Sequence, residues 1–227
     1  MAALGTAERA VHAASYFKTS PGQYGEGDIF LGVSVPAQRK IAREAKHLSQ
    51  DQIQELLASP IHEERFTALQ ILVAQYQKAD AARRQEIYDF YLSQTRAINN
   101  WDLVDSSARE IVGQHLLVRS RQPLYRLVRS RSLWERRIAI LATFAFLRTG
   151  DTADSYAIAE LLLGDPDDLI HKAVGWMLRE AGKTSQPALL HFLETHYTRI
   201  PRTTLRYAIE KLPEEQRKRI LQAKTRH

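Results

Sequence analysis

Residues 99–108 read Asn99-Asn100-Trp101-Asp102-Leu103-Val104-Asp105-Ser106-Ser107-Ala108. This stretch predicts the first turns of a helix that carries a large aromatic side chain and a carboxylate four positions apart. Residues with that spacing lie on the same face of a helix. We therefore expect Trp101 and Asp105 to stand side by side on one helix face.

The two positions recur along the chain at an almost constant interval of 36 and then 35 residues. The positions equivalent to Trp101 and Asp105 are Arg137 and Leu141, and then Lys172 and Trp176. A constant offset of this size marks equivalent sites in successive structural repeats. If each repeat is a helix pair stacked on its neighbour, these residues line one surface of a solenoid, which is the predicted functional site.

The remaining sequence favours an all-α fold, because apolar residues recur at helical spacing and no run alternates in the manner of a strand. Short glycine-containing turns near Gly150, Gly164 and Gly182 predict antiparallel neighbouring helices. No long linker divides the chain, so residues 1–227 are predicted to form a single domain. Residues 220–227 belong to a basic terminal segment that is expected to fray.

Several helix starts can be predicted from capping residues. Ser49 and Gln52 have the spacing of a capping box. Ser59-Pro60 and Asp165-Pro166 each place a capping residue before a proline, which favours a helix that begins at the proline.

The composition limits the chemistry and the partners. The chain contains no cysteine, which excludes disulfides and thiolate chemistry. Its formal charge of +6 and its pI of about 9.6 favour a polyanionic partner. No segment has the pattern of a signal peptide or the length of a membrane span, so a soluble, cytoplasmic protein without a membrane partner is expected.

Basic residues are concentrated in one interval that also contains Tyr125 and Trp134. Its arginines are Arg119, Arg121, Arg126, Arg129, Arg131, Arg136 and Arg137. Guanidinium groups pair well with phosphate oxygens, so the interval is predicted to bind a nucleic-acid backbone. The alternative is an ordinary solvated face.

Three separated motifs resemble the AlkD family of alkylpurine DNA glycosylases. They are Trp101-Asp102-x-Val104-Asp105, the Ile-Ala-Ile-Leu that follows Arg137, and Lys172-Ala173-x-Gly175-Trp176-x-Leu178-Arg179-Glu180. The likeness covers roughly residues 8–184. It implies a right-handed superhelix of HEAT-like antiparallel helix pairs with a concave basic groove. It also implies a monofunctional enzyme of base excision repair that hydrolyses the N-glycosidic bond of positively charged N3- or N7-alkylated purines in duplex DNA.

The resemblance also implies a role for each site residue. Asp105 would be catalytic, Trp101 and Trp176 would face the damaged nucleotide, and Arg137 and Lys172 would hold the flanking phosphates. Tyr16, in Tyr16-Phe17-Lys18, resembles a tyrosine that lies near the DNA. Family members can carry a second tryptophan where this chain has Asn100.

Other interpretations of the same residues remain open at this stage. Trp101 could be a packing residue, Asp105 could cap a helix or pair with Arg109, and Asp102 could be a solvated or structural acid. The histidines lack metal-ligand spacing, so neither a metal nor a cofactor is expected. The rival functions are a non-catalytic module that binds bent, branched or damaged DNA, and a protein-interaction scaffold. No obligate protein partner is evident.

Overall fold

The computed structural model describes residues 1–223, and the regular structure in that range is helical. No strand forms among these residues, although a single parallel bridge joins Ile29 to Ile61. The predicted all-α fold is therefore confirmed. The chain forms two compact units, Met1–His115 and a second that begins at Leu116. The predicted basic tail includes residues 224–227, which lie outside the described residues.

The first unit opens with a short 3-10 helix, Ala2–Leu4, and its sixth and seventh α-helices are separated by a π-helical turn at Arg109–Gly113. Its α-helices are α1 (Ala7–Tyr16), α2 (Val35–Glu44), α3 (Gln50–Leu57), α4 (His62–Lys78), α5 (Ala81–Ser93), α6 (Trp101–Asp105) and α7 (Gln114–Leu116).

The second unit consists of eight further α-helices within the described range. They are α8 (Gln122–Leu127), α9 (Leu133–Ala142), α10 (Phe144–Leu147), α11 (Ala153–Leu161), α12 (Asp168–Thr184), α13 (Gln186–Thr195), α14 (Arg202–Ala208) and α15 (Glu214–Ala223).

Helix α4 is the central helix of the first unit and packs against α2, α3, α5 and α6. Its apolar side chains, such as Leu69 and Ile71, are fully buried. Its first turns also bury three polar side chains, those of His62, Glu63 and Arg65. Buried polar groups need hydrogen-bond partners, and the partners of these three come from other segments of the unit.

The carboxylate of Glu63 fixes residues 31–33 against the start of α4. Its Oε1 accepts hydrogen bonds from the amides of Leu31, Gly32 and Val33 at 3.0, 2.8 and 3.2 Å. These contacts place the preceding residues, which include Asp28 and Phe30, beside His62. Residues 19–28 form a glycine-rich loop, and its end is thereby attached to α4.

Helix α12 is the central helix of the second unit and packs against both α9 and α14. The sequence offset relates Arg137 on α9 and Lys172 on α12, which agrees with neighbouring helices in a repeat. Gly175 allows α14 to approach closely, because a Cβ at this position would lie 2.6 Å from the Thr204 carbonyl oxygen. This contact explains the glycine of the third motif.

The predicted helix starts are partly confirmed. Ser49 and Gln52 form the capping box, with hydrogen bonds of 3.3 and 2.9 Å. The starts predicted at Pro60 and Pro166 are wrong, since α4 begins at His62 and α12 at Asp168. Bridge bonds from Ile29 to Pro60 and from His62 to Ile29 hold the residues before α4 extended.

Within residues 1–223, no helix combines the length and the apolar character that a membrane crossing requires.

Candidate active site

Helix α6 carries the two residues that define the predicted site. Trp101 is its first residue and Asp105 its last, and both side chains are half-buried. Between them, Leu103 and Val104 are fully buried and attach the helix to the core. The four-residue separation within this helix places Trp101 and Asp105 on the same face, as the sequence predicted.

Asn100 caps the N-terminus of α6 and is itself completely buried. Its Oδ1 accepts a hydrogen bond of 2.8 Å from the Trp101 amide, and its Nδ2 donates to Asp28 at 3.4 Å. The departure from the family pattern at this position therefore places a capping amide in the core. Asn100 therefore does not provide the second aromatic surface that a tryptophan would provide at this position.

Aromatic rings from the N-terminal region contact the indole of Trp101. Tyr16 meets it edge-on with ring centroids 5.7 Å apart, and Phe17 stacks on it at 5.1 Å. Phe17 stacks in turn on Phe30, also at 5.1 Å. Tyr16 is 58 % exposed and stands at the end of α1. The predicted residues Tyr16 and Trp101 are thus in direct contact.

A network of two carboxylates and two basic groups lies beneath these rings. His62 Nδ1 is 2.8 Å from Asp28 and its Nε2 is 2.8 Å from Asp102. Arg65 donates to the second oxygen of Asp28 at 2.5 Å. Asp28, His62 and Arg65 are almost fully buried, whereas the Asp102 side chain is 15 % exposed. Asp102 is therefore a structural acid, one of the two interpretations that the sequence left open.

The network changes the protonation of its members. Burial alone would lower the pKa of His62, but hydrogen bonds to Asp102 and Asp28 raise it to about 9. Burial raises the pKa of Asp28, while hydrogen bonds from His62 and Arg65 outweigh that effect and hold it below its usual value. His62 is consequently an imidazolium at neutral pH and donates from both ring nitrogens.

A cleft of about 200 Å³ opens beside this network. Its walls include the rings of Phe17, Phe30 and His62 together with the carboxylate of Asp102. The cleft is predominantly apolar. Two of its charged groups, His62 and Asp102, bond to each other, and Glu63 accepts hydrogen bonds from backbone amides. Its aromatic wall continues to Trp101 through Phe17.

The surroundings of Asp105 are partly polar. Tyr91 is fully buried and its hydroxyl lies 2.9 Å from that of Ser107. Burial raises the pKa of Tyr91, and the charge of Asp105 raises it further, so the phenol stays neutral next to the carboxylate. Arg109, the alternative partner predicted for Asp105, donates from Nε to Glu110 at 2.7 Å. A π-helical turn, which is frequent at functional sites, starts at Arg109.

The other predicted site residues lie in the second unit. Arg137 is only 5 % exposed, and its guanidinium donates to the Leu169 carbonyl, which connects α9 with the start of α12. Lys172 pairs with Asp168 at 2.8 Å and holds the pKa of that carboxyl below its usual value. Trp176 is half-buried and meets Phe144 edge-on at 5.8 Å. That these three residues share a groove with Trp101 and Asp105 remains a prediction.

The arginine-rich interval contains two kinds of side chain. Arg121 bonds to Asp151 and Asp154, and Arg136 bonds to Asp165 and Asp167, so these guanidiniums stabilise the second unit. Arg126, Arg129 and Arg131 are exposed. These three side chains are available to a phosphate backbone.

Sequence reasoning missed the network of Asp28, His62, Arg65 and Asp102. Its two carboxylates are 34 and 40 residues from His62 along the chain, and no motif links them to it. The available signal was weak, since it consisted of polar residues at the start of an otherwise apolar helix. Among residues 1–223, no group of histidine and acidic side chains is arranged to hold a metal ion.

The fold and the site define an all-helical protein with stacked helices and an acid–indole pair on one of them. The chain belongs to the family of DNA alkylation repair enzymes, whose model matches residues 1–212. The predicted family relationship is thereby confirmed, and it supports a role in DNA alkylation repair.

A solved structure with the same fold is described as a predicted DNA alkylation repair enzyme from Enterococcus faecalis. It shares 15 % sequence identity with this chain and has a TM-score of 0.70. The match covers 92 % of this chain and 97 % of that one. At this level of identity the likeness concerns the fold. A comparison with curated proteins finds no match.

Proposed function

We propose that this protein is a DNA glycosylase that hydrolyses the N-glycosidic bond of cationic N3- or N7-alkylated purines in duplex DNA. The observation that carries the proposal is the pair of half-buried side chains, Trp101 and Asp105, on one face of α6. Membership of the DNA alkylation repair family supplies the class of substrate. A module that only bound the phosphate backbone would gain nothing from a carboxylate at this place.

The chemistry requires one carboxylate. Glycoside hydrolysis usually needs one carboxyl group to protonate the leaving group and another to assist at the sugar. An alkylated purine already carries a positive charge and departs without added protons. Asp105 would stabilise the positive charge that develops on the deoxyribose and position a water molecule for attack on the anomeric carbon. The products are the free base and an abasic site.

The aromatic residues fit a positively charged substrate. An indole face attracts a cation by roughly 0.5 to 2 kcal/mol, depending on how far the pair is desolvated. Trp101 is held in place by Tyr16 and Phe17, so little side-chain entropy remains to be lost when the nucleotide binds. Trp176 would provide a second such face.

The basic residues of the second unit would hold the DNA backbone. Of the two residues predicted to hold phosphates, Lys172 is the more accessible, with 42 % of its side chain exposed in a pair with Asp168. An incoming phosphate could replace that carboxylate as the partner of the ammonium. Arg137 is buried and is already bonded to a carbonyl, which supports a contribution through the placement of α12 in addition to the predicted phosphate contact.

The proposal is tested with duplex DNA that contains 7-methylguanine. The protein is incubated with this substrate, and the released base and the abasic strand are both quantified. We expect release by the unaltered protein and loss of most of it in Asp105→Asn, which keeps the shape of the side chain and removes its charge. Asp89→Asn is the matched control, because Asp89 is exposed on α5.

The outcomes separate the rival functions. Binding of damaged duplex without base release would identify a non-catalytic DNA-binding module. Absence of appreciable DNA affinity near physiological salt would favour a protein-interaction scaffold. Base release that is unaffected by Asp105→Asn would remove Asp105 from its catalytic role.

A further inference from the structure

His62 connects the three segments that surround the candidate active site. It is the first residue of α4, and its ring bonds to Asp28 at the end of the glycine-rich loop and to Asp102 in α6. We propose that His62, held between these two carboxylates, is a positioning residue that fixes the orientation of Trp101 and Asp105. This inference rests on the proposed glycosylase function and names the group that organises its site.

The first line of support is the attachment of α6. Asp102 uses both carboxylate oxygens, since Oδ2 pairs with His62 and Oδ1 accepts from the Leu103 amide at 2.9 Å. Asn100, the residue immediately before α6, bonds to the same Asp28 that pairs with His62. Helix α6 has only five residues, so its orientation depends on such contacts more than on its own hydrogen bonds.

The second line of support is the stack of rings between His62 and Trp101. Phe30 stacks on the imidazole with centroids 4.6 Å apart, and Phe17 lies at 4.9 Å. Phe17 also stacks on Trp101. A change in the position or charge of the imidazole therefore reaches Trp101 by two routes, the carboxylate of Asp102 and the ring of Phe17.

The charges in this network balance. The carboxylates of Asp28 and Asp102 face His62, and Arg65 faces Asp28. The rings of Phe17 and Phe30 pack against the imidazole. Two further charged groups, Arg9 and Glu63, line the same cleft, and Glu63 bonds to the amides of residues 31–33. Loss of the His62 proton removes one of its two donors and leaves one buried carboxylate without that hydrogen bond. The site should consequently be ordered while His62 is protonated and loosen above pH 9.

The activity test compares His62→Gln with His47→Gln, which alters an exposed histidine in the same unit. Glutamine can donate to only one side of the network, because both of its donor hydrogens are on one nitrogen. We expect single-turnover base release to fall by up to about 100-fold in His62→Gln, as misplacement of a reacting group by about 1 Å can cause. His47→Gln should behave as the unaltered protein does.

The pH profile distinguishes positioning from simple loss of folded protein. The rate for the unaltered protein should fall as the pH rises through about 9, the pKa of His62. His62→Gln should lack that fall and remain slow over the whole range. Both proteins are compared at temperatures at which circular dichroism shows them folded. A fall of the same size and midpoint in His62→Gln would overturn the inference.

A third readout does not depend on activity. Fluorotryptophan is incorporated, and the fluorine resonance of Trp101 is assigned with Trp101→Phe. We expect this resonance to shift with a midpoint near pH 9 in the unaltered protein and to show no such step in His62→Gln. A Trp101 resonance that does not shift over the pH range in which His62 titrates would overturn the inference. Absence of base release by the unaltered protein would contradict the proposed function instead.

Discussion

At the scale of single residues, Asn100 shows how one departure from a family pattern changes the role of a position. Its side chain is completely buried, accepts from the Trp101 amide and donates to Asp28. Only a side-chain amide can make both hydrogen bonds, since a carboxylate could accept from Trp101 but could not donate to Asp28. The identity of this residue is therefore determined by the buried acid beside it.

Asn100→Asp should destabilise the protein at neutral pH. The substitution keeps the acceptor for the Trp101 amide, removes the donor to Asp28, and adds a negative charge beside the buried carboxylate of Asp28. We expect the free energy of unfolding to fall by at least about 2 kcal/mol in urea denaturation. Gln54→Glu makes the same chemical change at an exposed position of α3 and should be almost neutral. Equal stability of the two variants would contradict this account of Asn100.

At the scale of the helices, the placement of α4 depends on charge as well as on apolar packing. The His62 pKa is raised from 6.5 to about 9, so its favourable contribution to stability is complete below pH 6.5. The contribution is lost as the pH rises towards 9, because the unfolded chain then binds fewer protons than the folded one.

The free energy of unfolding should accordingly decrease between about pH 6.5 and pH 9. The shift corresponds to about 3 kcal/mol when each pKa unit contributes about 1.4 kcal/mol. Urea denaturation at a series of pH values measures this decrease in the free energy of unfolding, with His62→Gln as the reference protein. If the free energy of unfolding depends on pH in the same way in His62→Gln, the decrease is caused by other titratable groups.

Helix contacts also account for Gly175. A Cβ at this position would lie 2.5 Å from the Cβ of Tyr207 and 2.6 Å from the Thr204 carbonyl oxygen. Gly175→Ala should therefore cost about 1–3 kcal/mol of stability, as overpacking usually does. Gly164→Ala is the control, since nothing lies within 4 Å of its added Cβ. Thermal unfolding of both variants checks the difference, and a fully stable Gly175→Ala would show that α12 and α14 are less closely packed.

The elements differ in how far they could be predicted from the sequence. The all-α fold, the capping box at Ser49 and the shared face of Trp101 and Asp105 follow from local spacing, which the sequence displays directly. The start of α4 was missed because a bridge with Ile29, from a distant segment, holds the residues before it extended. The His62 network was missed for the same reason, since its contacts are made only by tertiary structure.

At the scale of the whole molecule, the positive charge is divided between internal pairs and free surface. Arg121 and Arg136 are bonded to aspartates of the second unit. Arg126, Arg129 and Arg131 remain exposed. A net charge of +6 attracts DNA generally, but only exposed side chains can replace its counterions.

Replacement of Arg126, Arg129 and Arg131 by alanine should weaken binding to duplex DNA. The slope of log affinity against log salt should become less steep by about 0.9 for each phosphate contact that is lost. The control replaces Arg39, Lys40 and Arg43, three exposed charges of α2, and so makes the same change in net charge. Equal losses in both proteins would show that overall charge, without a defined surface, governs binding.

The proposed function depends on the role of Asp105, which would stabilise the sugar cation formed when an alkylated purine departs. Its most direct test is the single-turnover rate of 7-methylguanine release from duplex DNA at saturating protein, so that DNA affinity does not affect the result. We expect Asp105→Asn to lower this rate by about 100-fold or more, the usual effect of removing such a group. An unchanged rate in a folded Asp105→Asn protein would contradict it.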